Sequence, residues 1–320
     1  MRTWTVGDND AGRRLDRFLS KAAPTLSAAH VQKSIRTRRV KVDGRRAEGG
    51  TRLAAGQTVT LYEDAAPAAG PDPAHLARPH PPLSVVFEDA NLLVLDKPAG
   101  LPVQPDGAGR APALASYAQA YLFQRGDWHP ARENTFAPAP AHRIDRHTSG
   151  LVLFAKNAET LRILTEKFRL REIEKTYYCL IHGTPDAPAG TLRHCLRRDE
   201  TRSRVSVRPD RRDGAKTAVT AYRVLAGRGG LSLVECRPLT GRTHQIRAQW
   251  AAAGHPLLGD GKYADNRADR ALGWAHQALH AHTLTLAFQT PAGRLDPLRG
   301  RVFEAPPPPW VAAFARNGHV

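Results

Sequence analysis

Three short polar stretches carry the residue types that could do chemistry. The first is HRIDRHTSG, residues 142–150, in which Asp145 sits between Arg143 and Arg146 and the chain runs straight into an apolar segment at 151–155. An acid among cations favours its ionised form, which suits a nucleophile better than a general acid. The same arrangement makes a structural ion-pair network, and the local sequence by itself favours that plainer reading. The second is TGRTHQIR, residues 240–247, a glycine-containing loop opening a helix, where free N–H groups with Arg242 nearby could hold a phosphate. Arg247 lies about one turn into that helix, on a different face from Arg242; an ordinary basic helix start would look the same. The third is EKTYYCLIHG, residues 174–183, a strand with adjacent tyrosines. Neighbours on a strand face opposite ways, so one of Tyr177 and Tyr178 turns toward a site or the core while the other turns outward.

Other chemistries lack their signatures. No GxGxxG follows a strand, and there is no GxxxxGK[ST] loop, no CxxC, and no His-x-Glu with Pro-Cys-x-x-Cys. His276 and His280 have metal-like spacing, but Gln277, Ala278 and Leu279 between them supply no catalytic acid. They read as packing or surface histidines. The expectation is an enzyme working with neither metal nor organic cofactor.

The elements that must position these loops read as follows. Segments 83–88 and 92–96 form strands around a turn at 89–91, and 151–155 is a buried strand. An amphipathic helix over 158–170 turns Leu161, Leu164 and Phe168 inward. Strands follow at 176–181, 218–225 and 231–236, then a helix at 243–253 ending at Gly254 and an alternating strand at 283–288. From Pro306 the proline-rich tail reads as irregular surface structure. Strand runs with occasional helices predict an α+β fold, a mixed and largely antiparallel sheet with flanking helices. Residues 64–82 hold six prolines with no apolar periodicity and read as an extended linker. The expected organisation is a module at 1–63, the linker, and a catalytic domain at 83–320.

In the module, Leu15, Phe18, Leu19 and Ala22 recur at helical spacing, and Ser27 caps a second helix with Val31 and Ile35 on one face. Val40 and Val42 alternate into the turn Asp43–Gly44, and Val59 and Leu61 mark a last strand. Lys33, Arg36, Arg38, Arg39, Lys41, Arg45 and Arg46 crowd this stretch, offset within it only by Asp43. A basic helix end entering a basic hairpin is a phosphate-tracking surface. Across the chain, 47 Lys plus Arg against 30 Asp plus Glu give a formal charge of +17, which favours a polyanion as partner. The three cysteines are odd in number and far apart, as expected of reduced thiols in a cytosolic protein. No run is long and apolar enough for a bilayer span, and the N-terminus does not resemble a secretory signal.

Taken in order, HRIDRHTSGLVLFAKN, EKTYYCLIHG and TGRTHQIRAQ resemble the three signature stretches of the RluA-type pseudouridine synthases. EDANLLVLDKPAGLPVQP, GHPLLGDGKY and LHAHTLTL match the family's opening and later segments, and the likeness spans about 83–305. Residues 13–62 resemble the S4-like RNA-binding module, a common companion in this family. The resemblance implies isomerisation of uridine to pseudouridine in RNA, without cofactor. It places the catalytic aspartate on Asp145, the basic partner of the aspartate on Arg247, and on Tyr177 the tyrosine that packs on the target base and is a candidate, with an ordered water as the alternative, to take the proton from C5. His142 and Arg143 fall in the RNA-contacting loop, with Arg143 as the residue that props open the stack. With Arg242, Arg36, Arg38, Arg39 and Lys41 they form the expected RNA-binding set. A chain with this module most resembles members acting on large-subunit (23S-type) ribosomal RNA, which implies that RNA or pre-ribosomal particles as partner, while relatives also modify transfer RNA. Cytoplasmic location, no membrane contact and a monomer are expected. A non-catalytic ribosome-assembly factor or RNA chaperone is the alternative from another class, and a different base-acting enzyme such as a glycosylase is a third reading. The sequence departs from the family at His147, where aspartate is frequent, and at Gln249, where histidine is usual. Both departures bear on substrate preference.

Overall fold

Apolar periodicity in the first sixty residues builds a small α/β layer. A computed structural model describes residues 1–63, 73–105, 112–199 and 204–317. Strand β1 (Arg2–Thr5) precedes helices α1 (Leu15–Ala22) and α2 (Ala28–Arg36), followed by β2 (Val40–Val42), β3 (Arg45–Arg46) and β4 (Thr58–Leu61). The sheet is antiparallel in the order β1-β4-β2-β3. Every apolar residue singled out in this segment is buried in one core. Ser27 caps α2 by accepting from the His30 N–H, and Asp43 and Gly44 both take positive φ, the geometry of a tight hairpin turn. Strand β1 was not anticipated; it contributes Trp4, whose ring meets Phe18 edge-on at 6.2 Å.

The described residues divide into two compact units, and the division does not follow the chain simply. The first unit comprises Met1–Pro82 together with Ala115–Ala139 and Ala155–Arg162. It includes the one-turn helix α3 (Pro73–Leu76), nearly all of α4 (Leu114–Gln124) and the start of α5 (Ala158–Leu170). Hydrogen bonds bind these pieces together: Asn134 Nδ2 donates to Asp10 and to the Thr5 carbonyl, both at 2.7 Å, and Asn9 Oδ1 accepts from the Ala158 N–H at 2.8 Å. Of the expected linker, residues 64–72 lie outside the described residues.

The second unit, Leu83–Leu114, Pro140–Phe154 and Ile163–Val320, is organised on a large sheet. Its strands are β5 (Ser84–Glu88), β6 (Leu92–Lys97), β7 (Ala139–Pro140), β8 (Ser149–Ala155), β9 (Glu174–His182), β10 (Ala189–Asp199), β11 (Arg204–Arg208), β12 (Lys216–Arg228), β13 (Leu231–Pro238), β14 (Leu279–Thr285) and β15 (Val302–Glu304). The order is β11-β10-β12-β13-β9-β14-β8-β6-β5, with β15 on β14 and β7 on β8. Most pairings are antiparallel; β8 lies parallel to β14. The fold is thus α+β with a mixed, mostly antiparallel sheet, as expected. Residues 92–95 and 151–155 are fully buried, which is why they read as unbroken apolar runs. Helix α6 (Gln245–Ala252) packs near β10 and β11, and the short α7 (Arg267–Ala271) follows it.

Three expected elements shift. Helix α6 begins two residues late because His244 takes a left-handed conformation, φ 50° and ψ 25°. Strand β14 starts at Leu279, so its first half is buried histidine and alanine rather than an alternating pattern. The tail is not irregular: α8 (Pro309–Asn317) opens on a proline, tolerated at a first helical position, and buries Val311. Strands β10 and β11 were not anticipated; Arg193, Arg197, Arg198, Arg204 and Arg208 take most of their exposed positions and mask the apolar alternation. All three cysteines are free, and no helix among the described residues is long and apolar enough to cross a membrane.

Candidate active site

Residues 142–150 form a loop stitched down from behind. Lys97, at the end of β6 and wholly buried, donates from Nζ to the carbonyls of Pro98 and Leu101 at 2.8 Å and of Arg146 at 3.0 Å. The Gly100 N–H donates to the same Arg146 carbonyl at 2.9 Å, and the Thr148 N–H to that of Asp145 at 3.1 Å. Burial pulls the Lys97 ammonium down to about 8, against the charges of Asp145 and Asp96. The loop ends at Gly150, φ 109°, where a Cβ would lie 2.1 Å from the Ala281 carbonyl oxygen of β14. Only glycine permits that approach.

The loop delivers Asp145 to a cleft of about 960 Å³. Arg247, from α6, donates from an amino group to Asp145 Oδ2 at 2.9 Å. The other edge of the guanidinium is taken by Asp260, which is 1 % exposed and accepts two bonds of 2.7 Å. Burial opposes the Arg247 charge, but the Asp260 pair and then Asp145 outweigh it, and its pKa rises. Tyr177 lines the same cleft from β9. Its hydroxyl pKa is pushed well above the usual value, first by burial and then by the Asp145 charge, so it keeps its proton. Tyr178 turns to the opposite face and stacks on His282 with ring centroids 4.4 Å apart. The three residues expected to do chemistry therefore line one cleft, although Asp145 and Arg247 stand 102 positions apart.

Cations dominate the walls: Arg143, Arg169, Arg171, Lys175, Arg237, Arg242 and Arg247, against Asp145 and Glu174. Lys175 lies two residues before Tyr177, and burial lowers its pKa with no counter-charge contributing. Arg143 is exposed in this wall, whereas Arg242 is partly tethered, its Nε donating to the Thr217 carbonyl at 3.1 Å. His142, expected as an RNA contact, also lines the cleft, but its ring is already engaged. Its Nε2 accepts from the Leu153 N–H at 3.1 Å and its ring packs on Phe168, and burial lowers its pKa to about 3. It offers no cation to a phosphate. At the start of α6 the Gln245 side chain accepts from the Arg242 N–H and the Thr240 hydroxyl, so part of the expected anion site is already occupied.

The two departures from the family pattern resolve differently. Gln249 does not line the cleft. It is buried, accepts from the Thr220 hydroxyl at 2.6 Å and donates to the Leu192 carbonyl at 2.9 Å, tying α6 to the sheet. His147 stacks on exposed His276 at 3.5 Å between ring centroids, and its buried Nδ1 has no hydrogen-bond partner among the described residues. His280 is buried and bonded to the Ser149 hydroxyl at 2.9 Å, leaving this histidine pair committed to packing.

Residues 91–252 match the model of the RNA pseudouridylate synthase family, just over half of the chain. The chain belongs to that family. Its relatives make it a pseudouridine synthase of the RluA type, an isomerase. A ribosomal large subunit pseudouridine synthase D of Xanthomonas campestris pv. campestris is 32% identical over 304 residues, covering 89% of this chain and 84% of that one. A ribosomal large subunit pseudouridine synthase C of Vibrio cholerae serotype O1 is 31% identical, covering 90% and 88%. The solved human RNA pseudouridylate synthase domain containing 4 superposes with a TM-score of 0.57 at 25% identity, covering 74% of this synthase and 94% of that chain.

Residues 13–59 match the S4 domain, so this synthase carries an RNA-binding module beside its catalytic one. There Arg36, Arg38 and Arg39 are exposed, with Arg38 in a left-handed conformation. Arg39 donates to Glu63 at 3.1 Å, a counter-charge beyond the stretch read from sequence, and Lys41 sits over the Tyr62 ring at 5.3 Å. Sequence reasoning missed Lys97, His244, Asp260 and Tyr263. The only available signal was that all four lie inside segments matching the family.

Proposed function

We propose that this synthase converts uridine to pseudouridine in large-subunit ribosomal RNA, acting as a cytoplasmic monomer with Asp145 as its nucleophile. The observation that carries the reading is the Arg247 guanidinium, anchored by Asp260 and presenting one amino group to Asp145 beside Tyr177. All three groups come from one chain, so no second copy is needed to complete the set. The target uridine leaves its stack at a cost of a few kcal/mol, offset by phosphate contacts to the cationic walls. Arg143, exposed in the cleft wall, fills the vacated place in the stack.

Tyr177 offers its ring to the flipped base. Asp145 acts at the ribose: the bond from C1′ to N1 breaks with its electron pair staying on the uracil, the uracil turns while still held, C5 gives an electron pair to form the bond to C1′, and N1 takes up a proton. The C5 proton then leaves. Because the Tyr177 hydroxyl is held protonated in the free enzyme, its role is to seat the base, and an ordered water or Asp145 itself accepts that proton. Ribosomal specificity rests on the names of the large-subunit relatives and on the S4 domain.

The test is carbodiimide mapping of cellular RNA from cells lacking the gene, complemented with wild type or Asp145→Asn. Loss of pseudouridine at one or more large-subunit positions, restored by wild type only, is expected. Full restoration by Asp145→Asn would remove the nucleophile. Unchanged ribosomal RNA with altered transfer RNA would move the substrate, and no altered site in any RNA would favour a binding-only role.

A further inference from the structure

His244 opens α6 in a left-handed conformation that a histidine adopts only at some cost, and such strain concentrates where a side chain must be aimed. Its imidazole lies between two partners. Nδ1 is 2.9 Å from the Tyr263 hydroxyl, and Nε2 is 3.8 Å from Asp145 Oδ2. The Tyr263 hydroxyl also accepts the Val205 N–H of β11 at 3.0 Å. A backbone N–H can only donate, and a tyrosine hydroxyl has one proton. With an acceptor site taken by Val205, the hydroxyl proton points to His244 Nδ1. A neutral imidazole then carries its own proton on Nε2, facing the carboxylate.

Both groups hold the protonation this requires. Burial pushes the Tyr263 hydroxyl up to about 12. His244 is lowered, by burial first and with Arg247 and Lys262 adding to it against Asp145 and Asp260. Tyr263 is itself fixed by the catalytic set, since its ring lies 5.3 Å from the Arg247 guanidinium.

We infer that His244 is a positioning residue, locked by the Val205–Tyr263 chain as the Nε2–H tautomer, which gives Asp145 a second donor beside Arg247 as the RNA closes on the site. At 3.8 Å the contact is open in the free enzyme, and catalytic hydrogen bonds commonly tighten only on substrate binding. The second donor holds the carboxylate in one orientation, which a single bond from Arg247 leaves free to swing. This rests on Asp145 being the acting carboxylate, but the tautomer itself does not.

Long-range proton–nitrogen correlation of the ¹⁵N-histidine-labelled full chain reads the tautomer, with the His244 signals identified by their loss in His244→Asn. Protonated Nε2 and bare Nδ1 are expected, giving way to a tautomer mixture in Tyr263→Phe. Single-turnover pseudouridine formation provides the functional arm. His244→Gln places an amide N–H where Nε2 stood and is expected to stay within a few-fold of wild type. His244→Asn suits the left-handed backbone and can still meet Tyr263, yet offers nothing to Asp145. It is expected to lose about tenfold or more in the chemical step with RNA affinity unchanged. An Nδ1–H tautomer in wild type, or better activity for Asn than for Gln, would overturn the assignment. An inactive Asp145→Asn alongside a wild-type-like His244→Asn would leave the nucleophile standing and remove only His244.

Discussion

Asp260 holds Arg247 by two bonds of 2.7 Å and thereby decides which edge of the guanidinium is left for Asp145. A planar fork fixed at one end can aim its remaining donor within narrow limits, as a lysine ammonium could not. Asp260 is buried behind the cleft lining, yet the geometry of the carboxylate follows from it.

Removing Asp260 leaves a buried guanidinium short of its counter-charge. Asp260→Ala is expected to destabilise the protein by roughly 3 to 5 kcal/mol, read as a fall in the urea midpoint at unchanged slope. A midpoint within experimental error of wild type would show that the pair contributes little.

Gly150 lets β8 come against β14 immediately behind the loop that carries Asp145. Gly150→Ala sets a methyl carbon against a backbone oxygen and forces L-residue geometry at φ 109°, with an expected loss of about 3 kcal/mol. Thermal unfolding monitored by circular dichroism checks it, and an unshifted midpoint would contradict the close approach.

Acid should destabilise the protein through His142. Its folded pKa of about 3 lies below the ordinary 6.5, so the unfolded chain binds more protons between those values. Stability therefore rises with pH across the window from 3 to 6.5 and falls as pH drops through it. The contribution is roughly 2 kcal/mol lost by pH 5. His142→Gln should flatten this limb of a plot of stability against pH; an unchanged slope would place the histidine in solvent.

The S4 domain should bind RNA electrostatically. Converting Arg38, Arg39 and Lys41 to Ala is expected to weaken binding and to reduce the slope of log K against log salt by about 2. The full value for three cations is not expected, since Arg39 is already paired with Glu63. An unchanged slope would remove this face from the interface.

Local periodicity was enough for the N-terminal module. Leu15, Phe18, Val31, Val40 and Val59 all fall in its core because helix and strand periods place side chains on faces without reference to distant residues. Strand alternation likewise separated Tyr177 from Tyr178, though only the pairing of β9 with β13 and β14 decided that Tyr177 is the one facing Asp145. Asp145 and Arg247 were visible as motif residues, but their bond crosses 102 positions and depends on the sheet order.

The sequence by itself determined the family and the charge of the partner and singled out Asp145 as the acid proposed to react, because those readings reside in residue types and in motif order. Tertiary structure alone decided that the His142 ring is taken up by the Leu153 N–H and Phe168, that Gln249 serves the fold, and that Lys97, Asp260 and Tyr263 support the site. Each of those roles is set by a hydrogen-bond partner brought near by packing. No pattern along the chain encodes the distance between such partners.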